Sequence, residues 1–358
     1  MEVNIVNNTE DFYRLKEAWE YLEAQDYDAT YYSTFEYIKT WWEVYKNDKD
    51  KKLYIICVTG NKEVLGIAPL YIETLYKKVF SYNELRFLGQ GDFAGLLINR
   101  QKASENKTIK LILSEILKNT KDYERVLLTN IKHTSALASY ALKSCEINKY
   151  FTYLVECPQV IINNYKDFEE YRKVYKNVNA ARYKNKLKND IGYNLKATID
   201  NGDSIIQKIS DIHISEQQHL RYKKKIHGRS SLFEDPKRLS FISRLYKDND
   251  KVITFTIETP EGEIIIYNTC YLYKRVLHSW NTGYDKRYEN SSLGRIIIHD
   301  MVNYLFENRI ADILDLGPGR YPWKFEWTSD FLLEYKLDMW NENTKKGRIL
   351  KKLYDLKH

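Results

Sequence analysis

Metal centres, disulfides and membrane spans all need residues that this sequence is short of or spaces wrongly. Its cysteines, Cys57, Cys145, Cys157 and Cys270, form no CxxC pair, and none stands at a short metal-ligand spacing from a histidine. They read as buried free thiols of a reducing compartment. The histidines are scattered: His133, His213, His219, His227, His278, His299 and His358. Only His213 and His219 lie close together, and their spacing does not place them on one helix face. No metal site is expected. No apolar run approaches the ~20 residues that span a bilayer. Met1 to Glu20 lacks the basic and apolar regions of a secretion signal, so a soluble cytoplasmic protein is expected. A nucleophile elbow and a Cys–His–Asp pattern are also missing, which speaks against a covalent enzyme intermediate.

What is present suits folded domains. The chain has 358 residues, 43% apolar and 29% charged, enough for two domains with packed cores. A net charge of +7 is mild; it is compatible with phosphorylated ligands, RNA or an anionic membrane face and selects none of them. The 31 tyrosines accompany abundant Lys, Asn and Ile, a mix that reflects A/T-rich coding as much as function.

Periodicity divides the chain into two similar halves. In the first, Phe12, Leu15, Trp19 and Leu22 share a helical face. A second helix is expected from Ser33, with Glu36 completing a capping box and Phe35, Ile38, Trp41, Trp42 and Tyr45 inward. Strands Leu53–Val58 and Val64–Ile72 flank the turn Thr59-Gly60-Asn61-Lys62. Short strands follow at Leu85–Leu88 and Gly95–Ile98, then a helix at Ile109–Leu117, a strand at Val126–Leu128 and a helix from Ser135. The second half has helices at Asp167–Lys188, Ser204–Lys224 and after Pro236. An antiparallel meander follows: Val252–Thr259, Glu263–Tyr273 and Arg275–Thr282. A helix from Ser292 to Glu307 and a strand at Ile313–Leu316 close the unit. Helices, meander, helix and strand, occurring twice, predict an α+β fold of two related domains, 1–158 and 159–358.

Two segments carry candidate chemistry. After Thr282-Gly283-Tyr284, the helix opening Ser291-Ser292-Leu293-Gly294-Arg295 offers free N–H groups and a positive dipole end to a phosphate or pyrophosphate. Gly294 leaves room for a ligand, and Arg295 can add a charge-assisted contact. An ordinary capped helix fits the same residues. Beyond Asp315-Leu316-Gly317-Pro318-Gly319, Lys324 lies between Trp323 and Phe325, where it could stabilise an oxyanion or phosphate, or snorkel over an aromatic cluster. The stretch 171–188 holds Arg172, Lys173, Lys176, Arg182, Lys184, Lys186 and Lys188, either a solvated face or a phosphate-steering surface.

Taken in order, these pieces resemble the CelD/BcsL-type branch of the GNAT acyltransferase superfamily, which has two GNAT-like halves and is related to Fem peptidyltransferases. The resemblance runs through Tyr32-Ser33-Thr34-Phe35-Glu36-Tyr37 with Trp41-Trp42, and Gly66-Ile67-Ala68-Pro69-Leu70-Tyr71. It continues through Leu88-Gly89 to Asp92-Phe93, the basic helix from Asn179 to Lys188, Gly283-Tyr284-Asp285 and Ser292-x-Gly294. It ends on Asp315-x-x-x-Gly319 and Trp323-Lys324-x-x-Trp327. Trp323 stands where the family commonly has Tyr, Leu293 where it has Pro, and the fuller glycine-rich pyrophosphate signature is lacking.

The resemblance implies tandem GNAT-like domains, each a mostly antiparallel central sheet flanked by helices. It also implies transfer of an acyl group from acyl-CoA or acetyl-CoA to an amine by direct attack, without a metal. The acceptor would be a small-molecule or glycan amine, such as an amino sugar or polysaccharide precursor. A Fem-like transferase using charged tRNA and a non-catalytic scaffold are the alternatives. Such chemistry needs a base for the ammonium proton and an acid near the leaving thiolate. Asp92, Asp285 and His219 are the candidate bases, Tyr284, ahead of Tyr288, the candidate acid and Lys324 a further catalytic candidate. Ser291, Ser292, Gly294 and Arg295 are candidates for the donor, and Arg221, Trp280 and Trp323 for the acceptor.

Overall fold

The structure is a computed structural model describing residues 1–77, 80–100, 104–118, 121–176, 180–199, 202–224 and 228–356. His227, His358 and Asn179, where the basic helix was expected to begin, lie outside these residues. Two compact units emerge: Met1–Val155 with Leu332–His358, and Glu156–Phe331.

The first unit opens with β1 (Glu2–Val6), α1 (Thr9–Arg14), α2 (Lys16–Gln25) and α3 (Phe35–Tyr45). The expected cap shifts by one residue. Thr34 caps α3 by accepting from the Tyr37 N–H, while Ser33 completes a capping box with Thr30 on the preceding single turn. Strands β2 (Lys51–Leu53), β3 (Ile55–Gly60), β4 (Glu63–Ala68), β5 (Leu70–Tyr76), β6 (Ser81–Phe87) and β7 (Leu97–Ile98) follow. The β3–β4 hairpin turns at Asn61 and Lys62, both with positive φ, as a two-residue hairpin requires. Then come α4 (Glu105–Lys118), β8 (Arg125–Lys132) and α5 (Ala136–Lys143), the last capped by Ser135.

Strand β9 (Phe151–Ile161) carries the chain into the second unit. There the expected long helix is two: α6 (Phe168–Val174) and α7 (Ala181–Ile191). Strand β10 (Asn194–Ile199), α8 (Asp203–Lys224) and α9 (Pro236–Tyr246) precede the meander β11 (Val252–Glu258), β12 (Ile264–Tyr273) and β13 (Val276–Tyr284). Helix α10 (Leu293–Asn308) and β14 (Ile313–Asp315) complete the unit. The strand order is β10-β11-β12-β13-β14-β9. Helix α10 buries Leu293, Ile296, Ile297, Met301, Val302, Leu305 and Phe306 against Ile253, Phe255, Ile257 and Leu277 of the sheet. Each such side chain contributes about 1.5–3 kcal/mol on burial.

The chain then returns to the first unit through β15 (Phe331–Trp340) and α11 (Lys345–Asp355). This corrects the expected second domain, which was to include residues 332–358. The cause is packing and charge. Leu337 and Met339 join the first unit's apolar cluster beside Val126 and Leu128. Arg125 donates to both carboxylate oxygens of Asp338, at 2.8 and 2.7 Å, and pairs at 3.1 Å with Glu84, which is fully buried. In the first unit the sheet orders are β1-β3-β4-β7 and β15-β8-β6-β5-β2.

The repeat expected from the sequence is visible in strand direction. Both units are mostly antiparallel, and in both the last meander strand runs parallel to the strand beyond the next helix. These parallel pairs are β6 with β8 across α4, and β13 with β14 across α10. The fold is mixed α+β, central sheets flanked by helices.

Candidate active site

Strands β13 and β14 pair only from Val276 opposite Ile313 to His278 opposite Asp315. Strand β13 then continues to Tyr284, while the chain leaves β14 into Gly317-Pro318-Gly319. The carboxyl ends of two parallel strands thus part company, which is where open α/β sheets receive ligands. A bulge accents the divergence: Thr269 faces Asn281 and Cys270 faces Ser279, so Trp280 has no opposite residue. Trp280 packs 5.5 Å from the Tyr271 ring and 6.5 Å from that of Tyr246.

Helix α8 lies along this part of β13, and its buried stripe contains an ionisable group. Ile206, Ile209, His213, Glu216 and Gln217 recur at helical spacing and are all buried. Burial pushes the Glu216 carboxyl up to about 7, against the opposing pull of the Arg229 charge, the Tyr284 main-chain N–H and Gln217. Gly283 lets it approach: a Cβ there would stand 2.9 Å from the Tyr267 ring and 3.2 Å from Glu216 Oε2. His213 is held neutral, driven down to about 4 by burial and then by Arg229, and its Nδ1 is 2.7 Å from Ser231 Oγ. Burial raises the Tyr284 phenol as well, with added contributions from Glu216 and Glu289, so it keeps its proton. Glu216 was not among the residues singled out from the sequence. Its signal was a carboxyl on the apolar stripe of a helix, where a charge without function is costly.

The candidates read from the sequence occupy different surroundings. His219 stands near Glu216 on α8 and binds Glu289 at 3.0 Å; Lys223 binds the same carboxylate at 2.9 and 3.0 Å. Together they tie α8 to the loop that follows β13. Asp285 accepts from Arg287 N and Nε at 2.9 and 2.8 Å. Burial works to raise its carboxyl, but these bonds prevail and hold it below the usual range, a poor setting for a base. Asp92 belongs to the first unit, where its carboxylate accepts from the Tyr32 hydroxyl at 3.3 Å. Arg221 is engaged with the Arg229 carbonyl and with Glu234 at 3.3 Å. Trp323 is exposed.

Lys324 is 4% exposed, and its Nζ donates to the carbonyls of Gly317 at 2.8 Å and Pro318 at 2.9 Å. Asp315, fully buried, accepts from Gly317 N at 2.7 Å and Gln159 Nε2 at 2.6 Å. Lys324 and Asp315 therefore shape the glycine loop beyond β14 from its two ends. In these contacts Lys324 is a positioning residue.

Ser292, at the start of α10, takes a left-handed conformation with φ 55° and makes no side-chain cap, so the first-turn N–H groups have no side-chain acceptor. A side chain at Gly294 would point into open space, and Ser291 is half-buried beside it. Arg295 is paired with Glu326. This turn can receive an anionic group through its main chain. Among the described residues, no cluster of His, Cys, Asp and Glu could hold a metal ion. Three cysteines are buried thiols, with burial pushing Cys57 up to about 12 and Cys270 well above its ordinary value; Cys145 is exposed, contrary to the expectation of burial.

The match to a protein family falls on this unit. The family model described as Acetyltransferase (GNAT) domain matches residues 179–325. No curated protein matches the sequence. Among solved structures, FemX superposes with a TM-score of 0.59 at 10% identity, covering 99% of each chain. A conserved protein of unknown function from Bacteroides thetaiotaomicron VPI-5482 gives 0.56 at 9% identity, covering 94% of this chain and 100% of the other. L-PGS from Bacillus licheniformis gives 0.53 at 11% identity, covering 96% and 95%. At these identities the likeness is one of fold. Through that likeness and the domain match, the chain has the fold of the GNAT-superfamily acetyltransferases, with Fem-type proteins among its structural neighbours.

Proposed function

We propose that this protein is an N-acyltransferase of the CelD/BcsL type, moving an acyl group from acyl-CoA to an amine on an amino sugar, a polysaccharide precursor or a specialised metabolite. The observation that carries this reading is Glu216, a buried carboxyl beside the diverging strands whose pKa of about 7 matches a general base. The amine nitrogen attacks the thioester carbonyl, the carbon–sulfur bond breaks, and the ammonium proton passes to Glu216. Tyr284 supplies a proton to the leaving sulfur, a role supported by burial keeping its phenol protonated. The residues at the start of α10 fit the donor's phosphates: a first turn that no side chain caps and the space above Gly294. Among the described residues, no helix is long and apolar enough to cross a membrane, and a cytoplasmic setting belongs to the same proposal.

The full-length likeness to FemX favours a second reading, a transferase that draws its acyl group from aminoacyl-tRNA. Thermal-shift measurements separate the two: acetyl-CoA or CoA stabilises the protein under the first, charged tRNA alone under the second. Product formation from acetyl-CoA and a panel of amino sugars, followed by mass spectrometry, then tests the acceptor. If neither ligand shifts melting and Glu216→Gln leaves cellular function intact, both readings fail and a scaffold role replaces them.

A further inference from the structure

Helix α11 carries two apolar faces, and only one is used inside the fold. On the inner face Gly347 and Leu350 are buried. The Tyr354 ring lies 5.7 Å from that of Trp340, with the Arg125 guanidinium 4.6 Å above it. The helix is seated closely, since a Cβ at Gly347 would stand 2.0 Å from the Asn341 carbonyl oxygen. Successive residues turn by about 100°, so Ile349, Leu353 and Leu356 form a separate stripe roughly a third of a turn away. These side chains are 50%, 48% and 85% exposed.

Single exposed leucines are ordinary; three on one stripe, bordered by cations, are not. Lys345, Arg348 and Lys352 lie along the outer edge of the stripe. Lys346 and Lys351 are paired at 2.7 Å with Glu124 and Glu342, but Lys345, Arg348 and Lys352 have no ion-pair partner among the described residues. Against these five cations the helix sets one acid, Asp355. An apolar stripe beside unpaired cations on a short helix, itself held firmly to a folded unit, has the features of a helix that lies in a lipid interface. A second copy of the same face is a poorer occupant, because an antiparallel two-fold contact would bring the like-charged edges together.

We infer that α11 docks the protein on anionic membrane surfaces, with Ile349, Leu353 and Leu356 entering the headgroup boundary and Lys345, Arg348 and Lys352 meeting lipid phosphates. This inference is independent of the acyl-transfer reading. The test is sedimentation of the full chain with vesicles of phosphatidylglycerol and phosphatidylcholine in about a 3:7 ratio, against phosphatidylcholine alone, at ~0.05 and ~0.5 M NaCl. Binding is expected to the anionic vesicles at low salt and to weaken at high salt. Each cation near such a surface is worth about fivefold, so Arg348→Gln/Lys352→Gln should weaken binding about 25-fold. Ile349→Gln/Leu353→Gln should weaken it about tenfold or more. All four positions are away from the packed face, and unchanged thermal melting of the variants checks that they fold. The salt comparison needs no variant at all. Wild-type protein that stays in solution with anionic vesicles at low salt overturns the inference, as do equal binding to neutral vesicles and variants that bind like wild type. A dimer that Ile349→Gln/Leu353→Gln dissolves, without vesicle binding, also overturns it in favour of a second copy.

Discussion

Replacing Glu216 by Gln should move stability and activity in opposite directions, and burial accounts for both. The Glu216 carboxyl titrates near 4.5 in the ordinary state and at about 7 in the folded protein. The folded state therefore binds this proton more tightly than the unfolded chain does. That contribution is fully present below about pH 4.5 and is lost as the pH rises through about 7. A shift of this size corresponds to on the order of 3 kcal/mol, lost once the carboxylate ionises inside the fold. Glutamine is neutral at every pH and keeps an oxygen for the Tyr284 N–H. Above pH ~8 the variant should therefore melt higher than wild type, and below pH ~4.5 the two should coincide. Turnover should fall by roughly 10²–10⁴, the usual contribution of a positioned base. The acid limb of the wild-type kcat/KM profile, centred near pH 7, should disappear with it. Differential scanning calorimetry across pH and a steady-state acetyl-transfer assay read the two effects. A variant that is less stable than wild type at pH 8 and retains full turnover would refute the reasoning, because Glu216 would then be an ionised structural partner.

Three further outcomes follow from the packing. Lys324→Met should lower stability by about 2–4 kcal/mol, because it leaves the buried Gly317 and half-buried Pro318 carbonyls without this donor; thermal melting with and without CoA shows whether the loop alone is loosened. Tyr284→Phe keeps the ring and removes the phenol, so Tm should hold while kcat drops tenfold or more and the alkaline limb of the pH–rate profile shifts, checked by initial rates between about pH 6 and 10. Arg125→Met leaves the buried Glu84 carboxylate with Arg86 as its remaining cation and frees Asp338 on β15, which should cost about 2–4 kcal/mol; urea unfolding followed by tryptophan fluorescence measures it.

Much of the fold was legible because it rests on local patterns. The apolar spacing of Leu293 to Phe306 defined α10 and its buried face, and Asn61-Lys62 marked a hairpin whose φ angles are positive. Less was legible where partners are distant in sequence. Strands β9, β10 and β15 have weak patterns of their own and are strands because of what they pair with. The site divides the same way. Ser292 and Gly294 announced a helix start and stand at one. Lys324 announced a charge between aromatics, yet its ammonium is spent on two carbonyls of the glycine loop.

The sequence by itself determined the fold class and the order of the meander strands and the helices flanking them, because periodicity, caps and turns are properties of neighbouring residues. Tertiary structure alone decided that residues 332–358 complete the first unit and that Glu216, rather than Asp285, is the carboxyl with a raised pKa beside the diverging strands. A carboxyl's burial and charge environment depend on groups far away in the chain, here Gly283, Tyr284 and Arg229, and only folding brings them to it.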